Sequence, residues 1–370
     1  MSSVLYNMTR EHDNIYYNVS ITSNLNNRYT VPKLNIARTE NILDKASDYY
    51  VSVIRFNIPS TFVPILIFVP SPNHSDINIG AYSITLSYLG FDVIEHLIYV
   101  NRNNGVSQKL NDGYYYMFDF QQMVDMINIA LSSAMAALLV QFPADPILLA
   151  AKDPFMVFNE VTKLFAFYVD DSAFNINNAT PIELFLNDEL LTLFNSFPTN
   201  RIYTGQVLNP NDGKDIQIRF TNQGNNLTQD PNGDPSNTTI YLYLPQEYVT
   251  IYNWNPFKKI VITSTSLPML GENIGSTGNN LRTILTDFVP SVSADEFRTV
   301  YQYFPTSQYR LVDLTTDGPL KAFDINVWWQ DIQGVLHLIY LPWNSQIEVK
   351  IAFLKKDLYK ENPIFIDQRG

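Results

Sequence analysis

The sequence predicts a mainly β fold of antiparallel strands, with an α+β segment inserted between two β-rich parts. Apolar and polar residues alternate in several segments of the first and last thirds of the chain, as in strands with one buried face. The one strong helical pattern, residues 120–140, lies in the middle. Aromatic residues make up 14% of the chain, and such residues favour strands.

Eight segments outside the middle region are predicted to be strands. The last three are expected to form a meander, with turns at residues 331–334 and 342–345. Eight antiparallel strands without intervening helices are typical of an eight-stranded antiparallel jelly-roll sandwich. The eight segments are residues 15–21, 49–58, 82–88, 259–266, 300–312, 323–330, 335–341 and 347–354.

The middle of the chain has a different pattern. Asp119 is a predicted N-cap for the long helix, which is apolar on nearly all sides and is expected to be buried. A hairpin is predicted at residues 155–169, a second helix from Thr180 to Phe194, and a long exposed loop at 205–239. The predicted domains are therefore 1–112 (first part of the jelly roll), 113–255 (an inserted outer lobe) and 256–370 (second part), with residues 1–14 as an arm.

Charge and composition exclude several classes of function. Charged residues make up 16% of the chain, against about 25% in typical globular proteins, and the net charge is −12. A protein that neutralises nucleic-acid phosphates is usually basic, so nucleic acid is not an expected partner. The chain has no cysteine, which fits assembly in a reducing compartment. A surface of neutral polar groups and tyrosines loses little solvation energy on burial. Such a surface is suited to being buried against neighbouring subunits.

No targeting or membrane segment is predicted. Residues 1–10 lack the pattern of a secretory signal. The longest apolar stretch, residues 129–140, is too short to span a bilayer.

The sequence predicts no catalytic, cofactor-binding or metal-binding residue, and hence no enzyme. The four histidines, His12, His74, His96 and His337, are far apart in the sequence and are interpreted as isolated. Neighbouring acids such as Asp170 and Asp171, or Asp295 and Glu296, are expected to be solvated loop residues. The acidic segment 230–234 lacks the glutamate that completes a calcium loop and is expected to be a turn.

Three residues are candidates for contacts between subunits. Trp328 and Trp329 are neighbours on a predicted strand and therefore point to opposite faces of the sheet. One is expected in the core, and the other meets solvent or a partner. Arg55 lies on an otherwise apolar strand and is expected either to pair across an interface or to remain solvated.

Three stretches of the chain carry a resemblance to a protein family. They are Tyr50–Pro59 leading into Tyr82–Leu86, Phe257–Pro268, and Phe323–Asp331 continuing through Gly334 to Lys350–Lys356. In these stretches the chain resembles the minor capsid (penton, or vertex) proteins of virophages and polinton-like viruses. The resemblance implies a jelly roll with an inserted outer lobe, forming a homopentamer at the icosahedral vertices of a virion.

Three functions are considered on this basis. The first is a capsid subunit of the vertex, a homo-oligomer in contact with neighbouring major capsid protein capsomers, located in the virion and assembled in the host cytoplasm. The second is a soluble carbohydrate-binding or host-attachment module that uses tyrosines and Trp343 as stacking platforms. The third is a jelly-roll enzyme. The first is preferred, because weakly charged, aromatic-rich flanks and an extended arm are what assembly requires.

Overall fold

The structure is a computed structural model of the chain. The predicted turn at 342–345, the acidic segment 230–234, His12, Asp295, Glu296 and Trp343 lie wholly or mostly outside the described residues. The described residues are 3–11, 14–22, 33–101, 107–109, 113–201, 214, 216–221, 226–229, 239–273, 281–289, 300–303, 310–341 and 345–360.

Strands dominate the described part of the chain, and every strand pairing within it is antiparallel, which confirms the mainly β prediction. In chain order the strands are β1 (Ser3–Glu11), β2 (Asn14–Thr22), β3 (Lys33–Ala37), β4 (Tyr49–Pro59), β5 (Leu66–Ile67), β6 (Ile79–Tyr88), β7 (Phe91–Ile98), β8 (Tyr116–Met117), β9 (Phe155–Asn159), β10 (Leu164–Asp170), β11 (Glu183–Leu186), β12 (Thr199–Arg201), β13 (Ile216–Ile218), β14 (Leu227–Thr228), β15 (Tyr241–Pro245), β16 (Phe257–Thr263), β17 (Glu272–Asn273), β18 (Leu281–Arg282), β19 (Ile284–Phe288), β20 (Val300–Tyr303), β21 (Val312–Asp313), β22 (Ala322–Asp331), β23 (Leu336–Leu338) and β24 (Gln346–Lys355). The α-helices are α1 (Phe120–Gln141), α2 (Pro146–Ala150), α3 (Asp171–Phe174), α4 (Asp188–Leu193) and α5 (Lys356–Lys360).

The chain divides into two compact units. Unit 1 consists of Met1–Pro64, Lys109–Gly113 and Pro256–Gly370, and unit 2 of Ile65–Gln108 and Tyr114–Asn255. This division differs from the predicted boundaries, because residues 65–108 belong with the middle of the chain. The reason is strand pairing: β6 was expected in the sandwich but pairs with β7 and β11 of unit 2.

Unit 1 contains two large antiparallel sheets and, within the described residues, a small one made of β17 and β18. Sheet A has the order β1-β2-β24-β4-β20, with β21 also on β4, and sheet B has the order β19-β16-β22-β23, with β3 also on β22. Within the described residues these sheets have six and five strands, more than the eight predicted. The additional strands come from segments that were not predicted to be strands, such as β1 in the predicted arm and β3.

Aromatic side chains join the two sheets of unit 1. Tyr17 of sheet A meets Phe323 of sheet B edge-on, with ring centroids 5.3 Å apart, and Phe353 of sheet A lies 5.3 Å from the same Phe323. Phe56 of sheet A contacts Phe288 of sheet B at 5.7 Å. Since contacts within about 7 Å in this geometry are typical of packed aromatic cores, the two sheets bury their facing surfaces against each other.

The predicted C-terminal meander is wrong in one respect. β22 and β23 form the expected hairpin, closed by a turn in which Gly334 has φ of 90°. β24, however, belongs to the other sheet, where it lies between β2 and β4. The alternation of residues in β24 shows which side chains lie on each face of the strand, but not which strands lie beside it. A third strand of the meander and a strand that crosses to the facing sheet therefore have the same sequence pattern.

Unit 2 has two larger sheets and the long helix. Sheet C has the order β12-β13-β11-β6-β7, and sheet D has the order β14-β15-β10-β9, which includes the predicted hairpin of β9 and β10. Helix α1 packs on β6, β7 and β9. Asp119 caps it as predicted, because its side chain accepts a hydrogen bond from the backbone N–H of Gln121.

Helix α1 is long and apolar enough to cross a membrane by length and composition alone, with a mean hydropathy of 1.8, but half of that window is buried inside the protein. Its packing on two sheets accounts for its apolar character. The expectation of burial on nearly all sides is wrong, since Ile129 is 55% and Val140 is 81% exposed.

The predicted helix from Thr180 to Phe194 is also wrong over its first half. Glu183–Leu186 forms strand β11, and the helix is limited to α4. Asn187 separates the two elements, since its side chain accepts a hydrogen bond from the N–H of Leu190 and thereby begins the helix.

Candidate assembly surface

Trp329 faces the interior of the unit 1 sandwich. It lies on β22 and is fully buried, on the same side of the strand as Phe323. Its indole is stacked on the imidazole of His337, with centroids 4.3 Å apart. His337 in turn lies 2.8 Å from the Asp331 carboxylate through Nε2, so this part of the core is polar as well as aromatic.

Trp328 points to the other, outer face of sheet B and is half-buried there. It packs with three neighbours, Val261, Ile284 and Leu336, in a group that we call the Trp328 cluster. The indole N–H donates to Oγ1 of Thr263 at 2.9 Å, which fixes the ring across β16. The prediction that one tryptophan enters the core and the other faces outward is therefore confirmed.

Charged side chains surround this apolar cluster. The guanidinium of Arg282 lies 5.8 Å from the centre of the Trp328 ring, within the range of a cation–π contact. Lys259 pairs with Asp287, and Arg310 pairs with both Asp287 and Glu272. The outer face of sheet B thus combines an apolar centre with paired charges, which is the usual anatomy of a protein–protein interface.

Arg55 lies on the outer face of sheet A and is half-exposed. Its guanidinium is 3.9 Å from the carboxylate of Glu348 on the adjacent strand β24, and both side chains remain nearly half-exposed. An ion pair this exposed contributes little to folding, typically about 0–1 kcal/mol. Both charges are therefore accessible to a partner.

A buried carboxylate that sequence reasoning missed connects two strands of sheet B. Asp324 on β22 accepts hydrogen bonds from the hydroxyls of Ser264, Thr265 and Ser266, which follow β16. Burial by itself raises the pKa of the Asp324 carboxyl, but the hydrogen bonds from Ser266, Thr265 and Ser264 outweigh it and hold that pKa well below its ordinary value. The sequence signal for this feature was Asp324 itself, the one acid among the alternating residues 323–329.

The histidines are less isolated than the sequence indicated. His74 and His96 of unit 2 are in contact, with ring centroids 4.7 Å apart, so that interpretation is wrong for this pair. Within the described ranges, no group of three or more His, Asp or Glu side chains is arranged to hold a metal ion.

Comparison with known proteins decides the family. The family model described as Sputnik minor capsid protein V18/19 matches residues 15–355. The chain belongs to this family. It is 36% identical over 188 residues to structural protein V19 of Sputnik virophage, an alignment that covers 49% of this chain and 84% of V19. It is 28% identical over 141 residues to protein V18 of the same virophage, covering 34% of this chain and 84% of V18.

Solved structures agree with this membership. A chain in the 3.5 Å cryo-EM structure of the Sputnik virophage has a TM-score of 0.72 and 28% identity, with 94% of this chain and 99% of that chain covered. The mavirus penton protein has a TM-score of 0.60 and 17% identity, with coverage of 92% and 99%, and so shares the fold.

The predicted resemblance to virophage minor capsid proteins is confirmed. The protein is a structural component of a virus capsid, and its curated relative V19 is a structural protein. The prediction of a non-enzymatic function is confirmed through this membership.

Proposed function

We propose that this minor capsid protein forms a homopentameric penton at the icosahedral vertices of its virion, with unit 1 as a jelly-roll sandwich that carries the subunit contacts. The likeness to the mavirus penton protein over 92% of the chain supports the vertex position. The face-to-face packing of two antiparallel sheets in unit 1 supports the jelly roll. Unit 2 is then the inserted lobe.

The observation that carries the proposal is the Trp328 cluster. An outward-facing tryptophan with buried aliphatic neighbours, edged by paired charges, is the combination that dominates binding energy at protein interfaces. The outer face of sheet B is thus proposed as the contact surface between copies. Trp329 supports this surface from inside the sandwich, since it is fully buried.

Arg55 is proposed to form a second contact. Its exposed pairing with Glu348 is weak enough to be exchanged for a carboxylate on a neighbouring copy or on a major capsid protein capsomer. We also propose contacts with major capsid protein capsomers, in virions assembled in the host cytoplasm. The likeness to a chain in the Sputnik virophage structure supports a place among other capsid proteins.

Native mass spectrometry of the purified chain tests the proposal. The expected result is a species of five chains, with rings visible by negative-stain electron microscopy. A chain that remains monomeric at every accessible concentration would count against a self-assembling penton and favour a monomeric attachment module. Charge reversal at Arg55 (Arg55→Glu), compared with Lys321→Glu at another exposed position of unit 1, tests the second contact.

A further inference from the structure

A polar cavity of about 430 Å³ lies within unit 2. Its volume is within the range of about 300–1,000 Å³ that small-molecule sites occupy. It is formed by β6, β7, the segment before β6 and the start of α4. The side chains that matter for its chemistry are Ser71, His74, Ser83, His96, Asn187 and Glu189.

Ser83 contributes a hydroxyl to the lining of the cavity. Its side chain is 3% exposed, and its backbone N–H donates to Oδ1 of Asn187 at 3.0 Å. Because a serine hydroxyl both donates and accepts hydrogen bonds, it can pair with a ligand hydroxyl in either sense.

His96 presents a defined acceptor to the same space. Its Nδ1 lies 3.1 Å from the carbonyl oxygen of Gly80, and since a carbonyl only accepts hydrogen bonds, Nδ1 carries the proton. When the ring is neutral, its Nε2 atom is left as an acceptor. The ring of His74 packs edge-on against His96 and limits its rotation.

Glu189 adds a second acceptor at a fixed position. Asn187 donates through Nδ2 to Oε2 of Glu189 at 2.7 Å and to the carbonyl of Ala81 at the same distance. Its Oδ1 accepts hydrogen bonds from the backbone N–H groups of Ser83 and Leu190. All the hydrogen-bonding groups of the Asn187 side chain are therefore used in holding β6 and the start of α4 together. The other oxygen of Glu189 is left for a ligand.

These groups discriminate between classes of ligand. No lysine or arginine lines the cavity, and the Glu189 carboxylate repels anions, so phosphate and sulfate are disfavoured. The described side chains around the cavity do not form a three-ligand metal site. Two acceptors beside one hydroxyl that both donates and accepts match a neutral ligand with neighbouring hydroxyls, because each ligand hydroxyl also does both.

We propose that this cavity binds a hexose, as a free sugar or as the terminal unit of a glycan, through hydroxyl contacts to Ser83, His96 and Glu189. The site lies in unit 2 and is independent of the proposed pentamer contacts in unit 1. Sugar binding and assembly are therefore measured separately, and either can fail without the other.

Saturation-transfer NMR and calorimetry on the full chain test the site. The probes are the methyl glycosides of glucose, galactose and mannose, which represent glycan ends, and the three free sugars. At least one is expected to bind saturably, with a Kd of roughly 1 mM. Ser83→Ala and Glu189→Gln should each weaken that binding by about tenfold, the effect of one lost hydrogen bond.

Two matched variants control for the substitutions themselves. Ser133→Ala and Glu247→Gln change the same residue types at exposed positions of unit 2 outside the cavity and should bind like the wild type. If Ser83→Ala lowers the thermal midpoint, the exposed Glu189→Gln carries the test, because it leaves the core intact. The proposal is overturned if no probe binds, if Glu189→Gln binds as tightly as the wild type, or if inorganic phosphate or Zn²⁺ binds there instead.

Discussion

The side chain of Asp324 and the hydroxyl of Ser266 form a reciprocal pair of hydrogen bonds between β22 and the chain that follows β16. The Ser266 hydroxyl donates to the Asp324 carboxylate at 2.5 Å, while the backbone N–H of Asp324 donates to the same hydroxyl oxygen at 2.8 Å. The two residues come from the second and third stretches that carry the family resemblance. These stretches therefore meet in one structural feature of sheet B.

Removing the charge of Asp324 is expected to destabilise the sandwich. In Asp324→Asn, an amide NH₂ group replaces one carboxylate oxygen. This donor then faces the hydroxyls and N–H groups of residues 264–266, which donate to the carboxylate in the wild type. Since hydrogen bonds to a charged group contribute about 1.5–3 kcal/mol, a loss of about 2–3 kcal/mol in the free energy of unfolding is expected. Urea denaturation measures it. Asp317→Asn, at an exposed ion pair, is the control and should unfold like the wild type.

The same carboxylate predicts a pH dependence. Because its pKa is lowered in the folded state, the ionised form stabilises the fold at pH values above the ordinary pKa of 3.8, and this contribution is lost as the pH falls through the folded-state value. The stability difference between the wild type and Asp324→Asn should therefore be constant from about pH 7 to about pH 5 and shrink below about pH 4. Urea midpoints at several pH values measure it, and a difference that grows in acid would contradict the assignment.

The sequence was informative where one face of a strand is buried and the other is not. Alternation located β2, β4, β22 and β24 to within a few residues, and it placed Trp328 and Trp329 on opposite faces. It did not identify partners. β24 lies between β2 and β4, pairings that join the two ends of the chain, and nothing local in the sequence specifies them.

Short apolar runs were the main source of error. Residues 182–186 form a short apolar run, whose pattern is consistent with either a helix or a strand. In the structure, residues 183–186 form a strand because they pair with β6. The cavity in unit 2 was missed for a related reason. Ser83, His96 and Glu189 come from three separate elements, and only the arrangement of β6, β7 and α4 brings them together.

Gly80 should be intolerant of a side chain. A Cβ atom at this position would lie 2.3 Å from Cζ of Phe68, a fully buried ring that packs on Tyr82 and Tyr99. The ring cannot move without disturbing that aromatic group, so Gly80→Ala is expected to cost about 1–3 kcal/mol. Thermal and urea unfolding measure the loss.

A matched glycine separates this clash from a general effect of alanine. At Gly271 the nearest atom to an added Cβ is 3.6 Å away, which is ordinary van der Waals contact. Gly271→Ala should therefore unfold like the wild type. Equal losses at both glycines would show that the approach of Phe68 is not the cause.

The two adjacent tryptophans should separate folding from assembly. Trp329 is fully buried against His337, so Trp329→Ala removes a core side chain and is expected to cost about 3–5 kcal/mol of stability. Trp328 is half-buried on the outer face of sheet B, so Trp328→Ala should lower the thermal midpoint less while shifting the oligomer towards monomer. Light scattering and thermal unfolding on the same samples distinguish the two effects.

Tyr248→Ala, at a residue 54% exposed in unit 2, is the control for loss of an aromatic side chain. A Trp328→Ala protein that assembles like the wild type would exclude the outer face of sheet B as the contact between copies.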